Sequence, residues 1–223
     1  MTQPLSPPAV PNFPNGGNAY EQRYQNELNN IHRLYLDRLN FVVSQLVSPN
    51  NGGRFLFFPH IGASDSTNQY ASGNNTPTVV AWNTLEAGSG FTLNPPGSAT
   101  PAQTGIYKIT YSIQVANTAN AVHDAVFWLR IDGVDLPNSS TFFSVPARKS
   151  AGVPSYICAY SEVVFPITAD SVVELIWATD LAYNPVGPID GVYLHASAAQ
   201  TVPYARPAVP SAIGSITFLS GVV

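Results

Sequence analysis

The chain has 223 residues, which is enough for one well-packed core with an appendage. Only 10% of the residues are charged, the formal net charge is −4, and 9 residues are Lys or Arg, which argues against a clustered basic face for nucleic acid. The 16 glycines and 20 prolines predict many turns, which favours short strands over long helices.

Cysteine use and the first residues bear on where the chain folds. The one cysteine, Cys158, excludes an intrachain disulfide and lies in an apolar run, residues 156–160, which predicts a buried, inert thiol. Residues 1–10 lack the basic and apolar regions of a secretion signal. No apolar run approaches the ~18 residues of a membrane span. These features favour folding in a reducing cytoplasm, without membrane insertion.

Residues 1–17 are rich in Pro, Asn and Gly and are not expected to form a helix, because proline removes hydrogen-bond donors and forces its neighbours into extended conformations. Two interpretations remain open for this segment. It is either a disordered terminus or an extended tail that anchors the chain on a partner, in which case Leu5, Val10 and Phe13 supply its main apolar contacts.

Residues 18–48 are predicted to form one long helix, because no Gly or Pro interrupts them before Pro49. Asn18 and Glu21 have the three-residue spacing of a capping box. The helix carries an apolar stripe with a mean spacing of about 3.67 residues, which is typical of a nearly straight coiled coil. Its members are Tyr24, Leu28, Ile31, Tyr35, Leu39, Val42 and Leu46. A lone helix is marginal in water, and sister helices in a trimeric coiled coil are favoured as its partners over the chain's own β-domain.

Residues 49–79 are interpreted as a linker with the first strand, which begins at Phe55, and residues 80–223 as an all-β head. Within the first of these segments, residues 60–78 are predicted to be rich in turns. The clearest strand covers residues 106–115, where large apolar residues alternate with polar ones. This pattern is typical of an antiparallel sheet that is covered on one side.

Further strands are predicted along the rest of the head. The run at residues 125–131 ends at Asp132-Gly133, a dipeptide that favours a tight hairpin turn. Other apolar runs lie at residues 155–164, 172–178, 192–196 and 213–219. Short strands that recur between turn signals indicate a mainly β sandwich or barrel.

Several segments resemble the C1q and tumour-necrosis-factor-like jelly rolls. Phe91-Thr92-Leu93 followed by Gly105-Ile106-Tyr107 is similar to the family's Phe…Gly-x-Tyr passage into its central strand. Residues 127–133 resemble the next strand with its turn, and residues 169–175 resemble the Gly-Asp-x-Val-x-Leu segment, with Ala169 in place of the glycine. The resemblance covers about residues 80–220 and implies ten short strands in two sheets and a homotrimer around a threefold axis. Inner-sheet aromatics line that axis in the family, and the candidates here, with a role in the chain's own core as the alternative, are Tyr107, Tyr111, Tyr160 and Phe218.

Residues 207–219 resemble the closing strand of the jelly roll, especially in the versions found in phage proteins, and residues 31–39 resemble the helices that precede β-domains in structural proteins of marine bacteriophages, of the cyanophage type. The resemblance implies a virion structural protein that is made in the host cytoplasm and displayed on the virion surface. Its role would be a short tail fibre or fibre knob for host attachment, with a head fibre or capsid decoration (cement) protein as the alternative. The implied partners are other virion proteins of the tail, portal region or capsid, and a host surface receptor or glycan.

The sequence offers no pattern for catalysis, a metal or a cofactor. The four histidines, His32, His60, His123 and His195, are scattered, and His123-Asp124 is the only adjacent pair of a histidine and an acid. Neither a Gly-x-Ser-x-Gly turn nor a phosphate-binding loop occurs. A secreted C1q-like module is disfavoured because collagen-like Gly-x-y repeats are missing. A glycan-cleaving spike is disfavoured because the head leaves little room for its usual β-helical body.

Overall fold

The computed structural model describes residues 21–47, 58–187 and 189–221. The predicted anchor residues Leu5, Val10 and Phe13 lie outside the described residues. The contacts divide the chain between residues 58 and 59 into a helical unit and a β unit. The helix in the described part of the chain is not long and apolar enough to cross a membrane.

The helical unit contains α1 (Gln22–Val47), whose 26 residues span about 39 Å. Among the described residues, the first helical hydrogen bond joins the Gln25 amide to the Glu21 carbonyl at 3.1 Å. Asn18, the predicted start of the helix, lies outside the described residues. On the exposed side of the first turns, the Nε of Arg23 lies 3.3 Å from the Oε1 of Glu27, and this ion pair stabilises the helix weakly.

The β unit contains thirteen strands among the described residues. In chain order they are β1 (His60–Asp65), β2 (Thr78–Val79), β3 (Thr84–Ser89), β4 (Phe91–Asn94), β5 (Ser98–Pro101), β6 (Gly105–Asn117), β7 (His123–Ile131), β8 (Val134–Asp135), β9 (Thr141–Val145), β10 (Ser155–Ile167), β11 (Val173–Thr179), β12 (Val192–Leu194) and β13 (Ala212–Ser220).

These strands form two antiparallel sheets. The six-stranded sheet has the order β10-β6-β13-β1-β3, and β12 pairs with the end of β6. The seven-stranded sheet has the order β4-β5-β11-β7-β8, with β2 beside β11 and β9 beside β7. The chain changes sheet repeatedly, and its central crossings run from β3 to β4, β5 to β6, β6 to β7, β9 to β10, β10 to β11 and β11 to β12. Such repeated crossing between two antiparallel sheets is the connectivity of a jelly roll.

The predicted two-sheet fold with one preceding helix is therefore confirmed. In the described part of the chain, ten strands make up the jelly roll, and β2, β8 and β12 add pairings of two or three residues. The expected count of ten strands omitted these short additions. The trimeric coiled coil stays a prediction.

One hydrophobic core lies between the two sheets. Along β6 the odd-numbered residues from Tyr107 to Val115 are buried and the residues between them are half-exposed, as the alternation predicted. Phe127 of β7 and Trp177 of β11 are fully buried in the same core and stack with ring centroids 6.3 Å apart. The core therefore depends on both sheets.

Two turn predictions have different outcomes. Asp132 and Gly133 adopt positive φ angles of 51° and 78°, which is the geometry of the tight hairpin turn that their sequence predicted. In the turn before β11 the residue with positive φ is Asp170, at 64°, rather than Ala169. The missing family glycine therefore causes no backbone strain at residue 169.

A strand lies where the sequence predicted turns. β1 begins at His60 and lies between β13 and β3, inside the stretch that was predicted to be turns. Its sequence, His-Ile-Gly-Ala-Ser-Asp, has one β-branched residue and several small ones, so it carries a weak strand signal. Residues 55–57 lie outside the described ranges, and Phe58 precedes β1 without belonging to a strand.

Candidate interaction surfaces

The apolar stripe of α1 remains accessible in the single chain. Tyr24, Leu28, Ile31, Tyr35 and Val42 are half-exposed, Leu39 is exposed, and the side chain of Leu46 lies outside the described set. Further apolar side chains beside the stripe are exposed: Leu34, Leu36, Phe41 and Val43. The helix therefore presents a wide apolar surface toward its C-terminal half.

The outward side of the six-stranded sheet carries a second apolar surface, here called the outer face. On β10 the even-numbered residues point outward, and Tyr160 and Val164 are 56% and 50% exposed. Across the sheet, Tyr160 is in register with Ser112 of β6, which pairs in turn with the exposed Ile213 of β13. The outer face thus consists of Tyr160, Val164, Ile213 and the exposed Leu219.

The outer face also carries an ion pair. The Lys108 Nζ lies 3.5 Å from the Glu162 Oε2, and both side chains are partly exposed. Exposed pairs of this kind contribute little to the stability of the chain.

Cys158 lies on this outer face, which corrects the prediction that its thiol is buried. The residue is exposed, and its Sγ is 3.1 Å from the Oγ of Ser112 on the neighbouring strand. The error has a simple cause. Residues 156–160 are apolar on both sides of the strand, so composition alone could not tell that Ala159 points inward and Cys158 outward.

The four candidate axis aromatics do not share one surface. Tyr107, Tyr111 and Phe218 belong to the chain's own core, where Tyr107 and Phe218 pack edge to face with centroids 5.4 Å apart. The Tyr107 hydroxyl donates to the Gln103 carbonyl at 2.7 Å. These three rings are therefore unavailable to a neighbouring copy, and of the four candidates Tyr160 is the exposed one.

The sequence pair His123-Asp124 forms part of a polar network at the start of β7. The Nδ1 of His123 lies 2.9 Å from the Oδ2 of Asp180, whose Oδ1 accepts a hydrogen bond from the Asp124 amide at 3.0 Å. Burial raises the pKa of Asp180, but the hydrogen bonds from His123 and Asp124 outweigh it and hold that pKa below its usual value. Ser144 donates to Asp124 at 2.6 Å, so its hydroxyl bonds an acid and not the histidine.

No three acidic, histidine or cysteine side chains in the described ranges are close enough together to hold a metal ion. The hydrogen bonds of His123, Asp124 and Asp180 join β7 to β9 and to the loop that follows β11.

A cluster of three tyrosines was not foreseen from the sequence. Tyr70, in the loop after β1, lies 5.7 Å from Tyr183 and 5.8 Å from Tyr193, measured between ring centroids. Tyr183, in the loop between β11 and β12, lies 5.0 Å from Tyr193 of β12. Burial raises the pKa of Tyr193 to about 12, and the neighbouring Tyr156, Tyr70 and Tyr183 add to this effect. No periodicity links these positions, so only the folded chain brings them together.

His195 extends the cluster toward β10. Its Nδ1 lies 3.1 Å from the hydroxyl of Tyr193, and its ring centroid is 4.8 Å from that of Tyr156. Burial lowers the pKa of His195, and the charge of Arg206 lowers it further. The imidazole is therefore held toward its neutral form.

A groove of about 390 Å³ opens beside the tyrosines. It lies between the loop after β1 and the loop between β11 and β12, and it is called the tyrosine groove below. Tyr70 and Tyr183 line it together with Asn74 and Asn184, and Tyr193 packs against both rings.

Comparisons with known proteins give a limited result. No protein-family model matches the chain, and no curated protein matches it. Among solved structures the chain is similar to the Eiger TNF from S. frugiperda, with a TM-score of 0.43 and 10% sequence identity, over 75% of this chain and 96% of that chain. The description of this chain as a jelly roll depends on the strand order and register given above.

Proposed function

We propose that this chain is a non-enzymatic structural subunit on the surface of a virus particle, in which three copies join around a threefold axis. Its specific role in this proposal is a short tail fibre or fibre knob of a bacteriophage that attaches to the host. Support for the phage setting comes from the resemblance of residues 31–39 and 207–219 to phage structural proteins.

The observation that carries the proposed self-association is that one chain leaves two apolar surfaces in water. On α1, Phe41 is 63% exposed and the stripe beside it is half-exposed. On the sandwich, the outer face exposes Tyr160 and Val164. Because contiguous apolar surface is costly to leave hydrated, such surfaces mark contacts between proteins.

Threefold symmetry accounts for both surfaces together. The stripe spacing of about 3.67 residues favours helices that run side by side with little supercoil. In a ring of three, each head meets its two neighbours through different sides of itself. We expect the β10 edge of one head to pack on the next head, which also removes that open strand edge from water.

The test of self-association is the mass of the full-length protein in solution. The proposal expects about 71 kDa, three times the chain mass of 23.8 kDa, by native mass spectrometry or light scattering at micromolar concentration. A monomer or dimer at that concentration would overturn the threefold assembly.

The virion role has its own test. The purified full-length protein is labelled and mixed separately with host cells, with complete particles and with tail-less capsids. Binding to host cells, with blocked adsorption of the particles, supports a fibre or knob. Binding to tail-less capsids alone would replace that role by capsid decoration. New reducing ends released from host polysaccharide would instead overturn the non-enzymatic part of the proposal.

A further inference from the structure

The tyrosine groove has walls from two loops that are fixed to each other. The Oδ1 of Asn74 accepts the amide of Ala182 at 2.8 Å, and the amide of Asn75 donates to the Thr179 carbonyl at 2.7 Å. These bonds join the loop after β1 to the segment that follows β11. The groove is therefore already formed in the free chain, as most small-molecule sites are.

Two tyrosine rings form one side of the groove. Tyr70 is 37% exposed, and its ring is tilted by 32° from that of Tyr183, so the two rings form a shallow, angled wall. Tyr193 is only 8% exposed, and its ring centroid lies 5.8 Å from that of Tyr70 and 5.0 Å from that of Tyr183. A rigid aromatic wall with a buried support binds flat apolar faces at low cost in conformational entropy.

Two asparagines in the lining of the groove supply hydrogen-bond donors. The Oδ1 of Asn184 accepts the amides of Val186 and Gly187 at 3.0 and 3.3 Å, which fixes the orientation of its side chain. The Oδ1 of Asn74 is likewise in use. Within the described parts of the chain, the Nδ2 atoms of both asparagines make no hydrogen bond, so each can donate to a ligand.

The described lining of the groove contains no Asp, Glu, Lys, Arg or His. The nearby acids Asp180 and Asp190 are paired with His123 and Arg148, at 2.9 and 2.7 Å. An anionic ligand such as a phosphate or an acidic sugar finds no cation in this lining, and a basic peptide finds no anion. A purely apolar ligand would leave both amide donors without partners.

We infer that the tyrosine groove binds a neutral pyranose unit of a glycan. Its apolar C–H face packs on Tyr70 and Tyr183, and its hydroxyls accept hydrogen bonds from the amides of Asn74 and Asn184. The binding chemistry depends on the groove alone. Its use in host attachment rests on the proposed function, which it would extend by naming the class of receptor.

The test measures binding of methyl glycosides of glucose, galactose and mannose to the full-length protein, by calorimetry or saturation-transfer NMR. At least one of these neutral sugars is expected to bind, and N-acetylneuraminic acid is not. Tyr70→Ala is expected to weaken binding by about tenfold, because it removes the stacking surface, whereas Tyr70→Phe keeps it. Tyr204→Ala is the matched control, because Tyr204 is an exposed tyrosine outside the lining.

Three outcomes would overturn the inference. They are the absence of binding by all three neutral glycosides, equal binding by the wild type and a folded Tyr70→Ala variant, and preferential binding of N-acetylneuraminic acid. A synthetic peptide of residues 1–17 serves as a competitor, since aromatic grooves also bind proline-rich segments. If this peptide binds the groove and the sugars do not, the ligand is a peptide and the inference is wrong. If the protein binds sugar but is absent from virus particles, the proposed function is wrong and the inference about the groove stands.

Discussion

The ring of Phe218 lies against the α-carbon of Gly105, where β13 passes beside the start of β6. A Cβ atom on residue 105 would lie 2.8 Å from the Cδ2 of Phe218 and 2.8 Å from the carbonyl oxygen of Ser220. The register between β13 and β6 shifts between Phe218 and Ser220, so the backbone approaches closely at this point. Glycine is therefore required at residue 105 for space.

The first prediction is that Gly105→Ala destabilises the sandwich. The ring of Phe218 cannot move away easily, because it packs edge to face against the buried Tyr107. We expect the free energy of unfolding to fall by about 1–3 kcal/mol, which is typical of an overpacked core. Urea denaturation with linear extrapolation measures this change.

The matched control for this prediction is Gly62→Ala. Gly62 also lies in the six-stranded sheet, and a Cβ there would meet its nearest neighbour, the Ala87 carbonyl oxygen, at 3.9 Å. This is an ordinary van der Waals distance, so stability should change by less than about 0.5 kcal/mol. Equal losses in the two variants would show that the alanine side chain itself, and not the contact with Phe218, causes the effect.

Local sequence signals were sufficient for part of the fold. The alternation along β6 identified its buried face, because a strand repeats every two residues and one side of this sheet is covered. The Asp132-Gly133 turn followed from the conformations that these two residue types tolerate. Both signals lie within one short segment, so they do not depend on the rest of the chain.

The interaction surfaces could not be predicted in the same way. Tyr160 and Tyr107 both lie in long strands with aromatic neighbours, and only the position of the core distinguishes the exposed ring from the buried one. The tyrosine groove joins Tyr70 to Tyr183, which belong to loops far apart in the chain. Loop residues carry no periodicity, so their proximity is a property of the jelly-roll connections and not of any segment.

The second prediction concerns the outer face. Tyr160→Asp combined with Val164→Asp places two charges where the proposed trimer excludes water. We expect the variant trimer to dissociate into single chains of 23.8 kDa more readily than the wild type. The protein concentration at which it dissociates should be higher by about tenfold or more. Analytical ultracentrifugation over a dilution series measures this difference.

The control for the outer face lies on the other sheet. Phe142 of β9 is 73% exposed and belongs to the seven-stranded sheet, so Phe142→Asp should leave the dissociation unchanged. If the double variant behaves as the wild type does, the outer face is not the contact between copies. If all variants dissociate alike, added charge and not position is responsible.

The third prediction is a loss of stability in mildly acidic solution that depends on His195. Its folded pKa lies below the unfolded value of about 6.5, because burial and then the charge of Arg206 disfavour the imidazolium. The unfolded state therefore binds the proton more readily, and stability is fully present above about pH 6.5 and falls as the pH drops through the lower folded pKa. Melting temperatures between about pH 5 and 8 should show a smaller decline in His195→Gln than in the wild type. An identical decline in the two proteins would remove His195 as the cause.

The fourth prediction concerns a carboxyl group, that of Asp180, which bonds the start of β7. The pKa of Asp180 lies below its usual value, because hydrogen bonds from His123 and Asp124 outweigh the effect of burial. A lowered carboxyl pKa stabilises the fold above the unfolded value of about 3.9, and this contribution is lost as the pH falls through the folded pKa. Asp180→Asn should therefore be less stable than the wild type near pH 6, and the two should converge in strong acid.

A double-mutant cycle with His123→Gln isolates the 2.9 Å contact, since the hydrogen bond from the Asp124 amide remains available to the asparagine. Additive effects in that cycle would mean that His123 and Asp180 do not stabilise each other, and the tie between β7 and the following loop would depend on the amide alone.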